Sequence, residues 1–77
     1  MIFRLVNVGR DKFTGEVDVR SADELLSKVR RHLRSSDVSI SETGSVLVGG
    51  WRPVGSVEPV GDVAAMQFKK WLEASNG

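Results

Sequence analysis

The apolar positions change period several times along the chain, and each change marks an element. Ile2-Phe3-Arg4-Leu5-Val6-Asn7-Val8 is rich in strand-forming residues, with Ile2, Val6 and Val8 on one alternating face and Phe3 and Leu5 on the other. Apolar side chains on both faces predict an interior strand. Gly9-Arg10-Asp11-Lys12 reads as a turn. From Thr14 to Arg20, Val17 and Val19 alternate with Glu16, Asp18 and Arg20, as in a half-exposed strand paired with the first in a hairpin.

The period then lengthens. Ala22, Leu25, Leu26, Val29 and Leu33 recur at helical spacing on one face. Ser21-Ala22-Asp23-Glu24 opens this helix as a capping box, with Ser21 accepting from the N–H three residues on and Glu24 reaching back to the Ser21 N–H. Acids in its first turn and Arg30, Arg31 and Arg34 towards its end both suit the helix dipole.

Val38 and Ile40 alternate with Ser39 and Ser41, Glu42 to Ser45 is turn-like, and Val46-Leu47-Val48 predicts a short buried strand. Gly49 to Gly55 is irregular. Ser56-Val57-Glu58-Pro59-Val60 predicts at most a fifth strand at the sheet edge, because Pro59 lacks a ladder donor. A last helix follows, with Asp62 as its cap and Ala64, Ala65, Phe68, Trp71 and Leu72 as its apolar face; residues 75–77 are expected to fray. The order ββαββ(β)α predicts an α+β two-layer sandwich, an antiparallel sheet of four or five strands with two helices on one face.

Seventy-seven residues accommodate one domain, 1–77, with a thin margin of stability. Cysteine is absent, so neither disulfides nor thiolate metal sites supplement the core, and a partner or a second copy in a homodimer is an expected source of further burial. Arg4 follows the first residues directly, no apolar run reaches signal-peptide or membrane-span length, and a cytoplasmic setting without membrane contact is the expectation. The net charge is +1, but residues 1–36 hold eight basic and five acidic side chains, and residues 37–77 hold three basic and five acidic. The chain is mildly polarised.

Catalysis finds little to work with: one histidine, no cysteine, no tyrosine, and carboxylates scattered singly apart from the helix-opening Asp23-Glu24. His32 falls at the margin of the first helix's apolar stripe, where a boundary residue with one solvated nitrogen is expected. The glycines do not spell a phosphate loop. The expectation is a non-enzymatic protein with no metal and no cofactor.

Two kinds of contact remain. Trp51 and Arg52 belong to residue types enriched in interface hot spots, and Pro53 stiffens the backbone beside them. Trp51 has two placements open to it, folded back over the sheet edge or exposed as an anchor. Val63 and Met66 lie off the apolar stripe of the last helix, beside Lys70 and Glu73, and are candidates for a partner or dimer contact. Edge pairing through the Val54–Val60 region is a third route. The alternative partner is nucleic acid, met by Lys28, Arg30, Arg31 and Arg34 on the exposed side of the first helix and joined by Arg10 and Lys12 where the first turn folds nearby. The same charges also suit a plain solvated face. In size and make-up the chain resembles small accessory proteins of phages and mobile elements, many of them inhibitors or adaptors of larger host assemblies such as defence complexes. Trp51 and Arg52 make protein binding the leading expectation, and that likeness adds a little to it.

Overall fold

The opening run forms β1 (Ile2–Val8) and the alternating segment after the turn forms β2 (Phe13–Asp18), a hairpin joined through the turn bond from Lys12 N–H to the Gly9 carbonyl. The computed structural model describes residues 1–76, with side chains through Ala74. Among them α1 (Ala22–Arg30), β3 (Val38–Ile40), β4 (Ser45–Val48), β5 (Arg52–Val60) and α2 (Asp62–Asn76) complete an antiparallel sheet of order β2-β1-β5-β4-β3. This is the α+β sandwich that the periodicity predicts. The fraying expected at 75–77 lies at the limit of the described residues: Ser75 and Asn76 have helical backbone and Gly77 falls outside them.

The core lies between sheet and helices. Phe3, Leu5 and Val8 of β1, Val46 of β4, Val57 of β5, Leu25 and Val29 of α1, and Ala64 and Phe68 of α2 are buried in one cluster. Its larger side chains each contribute about 1.5–3 kcal/mol by leaving water. Phe3 is wholly enclosed, edge-on to Phe68 and stacked on Trp71, with both ring centroids 5.6 Å away. Val8 belongs to this cluster, not to the face of Ile2 and Val6. Asn7 has a left-handed φ of 51° and the β1–β2 register shifts between Leu5 and Val8, so the alternation slips by one. The opposite sheet face carries Arg4, paired across strands with Glu16 at 3.3 Å and Glu58 at 3.9 Å.

Strand β5 is a correction. It begins at Arg52, runs nine residues and sits in the middle of the sheet, paired with β1 and β4, so it is no edge strand and offers little for edge pairing. Pro59 fits there for a local reason. The Val57 N–H donates to the Gly44 carbonyl, at 2.7 Å, on the β4 side. By strand alternation the Pro59 nitrogen faces the same side two residues on, past the point where β4 pairing has ended at Ser45–Ser56. No ladder donor is required of it.

The helix starts also differ in detail. Ser21 Oγ accepts from the Glu24 N–H at 3.2 Å, but the Glu24 carboxylate accepts from the Arg20 N–H instead of that of Ser21. Asp62 is the first helical residue rather than the cap, and Ala65, expected on the buried face, is exposed. The Gly61 carbonyl accepts the first turn's bond from the Ala65 N–H. Helix α1 stops at Arg30, short of Leu33, which packs on the core from the following turn. There His32 and Leu33 donate to Val29 and Arg30, three residues back, which tightens the last turn and ends the helix.

Candidate functional site

Where α1 ends, three segments distant in sequence meet. Gly9, in the β1–β2 turn, donates its N–H to the Val54 carbonyl of β5 at 3.0 Å. Its α-carbon lies flush against the His32 carbonyl, and its φ is +83°. A Cβ at Gly9 would overlap that carbonyl oxygen, so only glycine allows the approach. The imidazole of His32 stacks on Phe13 of β2, with ring centroids 4.0 Å apart and planes 9° off parallel. Half-buried on one ring face, His32 is a boundary residue that fastens the end of α1 to the hairpin.

Between these segments runs an open groove of about 750 Å³. Residues 9–12 form one wall, residues 32–35 a second, and Val48 with residues 52–55 the third. Arg10, Lys12, Arg34 and Arg52 line it with one acid, Asp11, a formal balance of +3. Among the described residues the ion pairs are those of Arg4 and the chain's amino group, so none of the four groove cations is paired. An excess of three positive charges in one concavity gives a local field that the net charge of +1 conceals.

Trp51 stands next to this groove in sequence, at the tip of the β4–β5 hairpin. Gly49 and Gly50 adopt φ of 67° and 80°, the signs of a type I′ turn, which non-glycine residues reach only with strain. The Gly49 N–H donates to the Asp37 carbonyl at 3.0 Å and ties the tip to the loop before β3. Of its two open placements Trp51 takes the exposed one, with 77% of its surface accessible.

The other candidates divide. Val63 and Met66 are exposed, at 72% and 64%, on the first turns of α2. They follow the far end of the nine-residue β5 from Trp51, so the four protein-binding candidates are two separate places. The basic set divides as well. Arg10, Lys12 and Arg34 reach the groove, whereas Lys28, Arg30 and Arg31 do not line it. Arg34 lies beyond the helix and not on its exposed side, because α1 ends at Arg30 and Arg31 is its C-cap. Arg52, selected from the sequence for its type beside Trp51, joins the basic groove.

Sequence reasoning joined Arg10 and Lys12 to Arg34 but missed that Arg52 converges on them and that Lys28, Arg30 and Arg31 do not. It also missed an apolar trough of about 390 Å³ between the helices, floored by β3 and walled by Leu26, Trp71 and Leu72. No three His, Asp or Glu side chains gather into a metal-ligating group among the described residues, and no helix there is long and apolar enough to cross a membrane. Comparison with protein-family models, with curated proteins and with solved structures finds no match to this chain.

Proposed function

We propose that the protein is a small, non-enzymatic protein-binding module, anchored on a larger partner by Trp51 and Arg52. The single observation that carries this is the exposure of Trp51 on a turn that the Gly49–Asp37 hydrogen bond ties to the loop before β3. A large aromatic exposed to water leaves apolar area uncovered that a partner can bury, as hot-spot residues do. Val63 and Met66 are a second contact surface at the opposite end of the molecule, available to the same large partner or to a second copy in a homodimer. Its setting is cytoplasmic and its action that of an inhibitor or adaptor, in keeping with its size and cysteine-free composition.

The test is capture. Immobilised wild-type protein and Trp51→Ala are exposed to lysate, and the retained proteins are identified by mass spectrometry. Loss of a hot-spot residue costs about 2 kcal/mol or more, roughly thirtyfold in Kd, so the partner should be absent from the variant's eluate. The thermal midpoint should stay within about 3 °C of wild type, as for a surface substitution. Equal capture by both proteins would overturn the assignment.

A further inference from the structure

We propose that the groove between the β1–β2 turn, the end of α1 and the start of β5 binds a short stretch of single-stranded nucleic acid, its phosphates on Arg10, Lys12, Arg34 and Arg52. The ligand goes beyond the protein contact proposed for Trp51 and Arg52, with which the groove shares Arg52 but not Trp51. It also differs from the basic helix face expected of the sequence, since Lys28, Arg30 and Arg31 stand outside.

Three observations converge on it. First, the four cations carry no ion-pair partner among the described residues, whereas Arg4, in the middle of the outer sheet face, is held between two glutamates. The groove's charges are free to meet an anion without breaking an internal contact. Second, the charges ring a concavity that also has apolar walls, at Leu33, Pro53 and Val54. A phosphodiester strand presents that combination of anionic backbone and flat apolar bases. Third, the shape selects the form of nucleic acid. A duplex carries its phosphates on a convex cylinder and reaches only a groove's rim, while an unpaired strand lays backbone and bases into it. The walls are also fixed relative to one another, by the Gly9–Val54 hydrogen bond and the His32–Phe13 stack, so the cations are placed before the ligand arrives.

The experiment is fluorescence polarisation of the full chain with 5′-labelled dT12 at 50 and 200 mM NaCl, with a duplex of the same length and poly-glutamate as competitors. Four phosphate contacts predict a log–log salt slope of about −2.8, an affinity loss of roughly fiftyfold between the two salts. Arg34→Ala and Arg52→Ala should each weaken binding about eightfold at 50 mM salt and flatten the slope by about 0.7. Lys69→Ala and Lys70→Ala, exposed on α2 away from the groove, control for overall basicity and should change neither quantity. Circular dichroism melts establish that every variant is folded. Absence of binding at 50 mM, or equal losses in the α2 variants, overturns the site. Equal competition by the duplex overturns its assignment to single strands. Equal competition by poly-glutamate reassigns the groove to an acidic polypeptide and overturns the nucleic-acid proposal. Each result is independent of whether Trp51→Ala loses its protein partner.

Discussion

Gly9→Ala is the substitution to which the loop end of the molecule should be most sensitive. An alanine at φ +83° carries the left-handed penalty of about 1–2 kcal/mol. Its methyl group would also overlap the His32 carbonyl oxygen, so the turn must withdraw from the end of α1. Withdrawal endangers the 3.0 Å bond from Gly9 N–H to the Val54 carbonyl, a further loss of about 0.5–1.5 kcal/mol. Together the loss is about 1.5–3.5 kcal/mol. A 77-residue domain has roughly 4–12 kcal/mol to lose at the usual stability per residue. At about 4–8 °C per kcal/mol for this size, the melting temperature should fall by at least about 6 °C. The assay is thermal and urea denaturation followed by circular dichroism, with Gly15→Ala in the neighbouring strand for comparison. That position has no left-handed φ, and its closest neighbour is the ring end of Phe13, a side chain rather than backbone. A Gly9→Ala melting temperature within 3 °C of wild type would refute the claim that this contact fastens hairpin, helix end and β5 together.

Ser21→Ala removes the acceptor of the Glu24 N–H and should cost about 1 kcal/mol, read as a 4–8 °C lower melting temperature, while Ser21→Asp keeps the cap and most of the stability. Phe3→Ala empties the space between Phe68 and Trp71 and should cost about 3–5 kcal/mol, so that near-ultraviolet dichroism at 37 °C is largely lost.

Most of the layer architecture is legible in the chain because each element carries its own local signal. The capping residues before α1, the spacing of Leu25 and Val29, and the alternation around Val17 all act over a few residues. The misses occur where distant residues decide. Pro59 argues against an interior strand until it is seen that β4 stops short of it. Leu33 continues the helical spacing, yet the helix ends at Arg30 because the backbone tightens where it meets Gly9. Val8 changes face because one left-handed residue, Asn7, slips the register. The candidate site divides in the same way. Gly-Gly-Trp is compatible with a covered or an exposed indole, and the local sequence does not choose. Arg10, Lys12 and Arg34 are grouped in the sequence with the basic helix face and Arg52 is set apart beside Trp51, and only the fold gathers these four into one groove.

The groove's three walls come from residues 9–12, 32–35 and Val48 with 52–55, so it exists only in the folded chain. An occupant that bridges those walls therefore acts as a thermodynamic brace. At a hundred times its Kd it adds about 2.7 kcal/mol to the free energy of unfolding, a large part of what a domain this small possesses. The melting temperature of the isolated protein is then a floor. A rise on titration with a candidate ligand reports occupancy directly, with no label attached to either molecule.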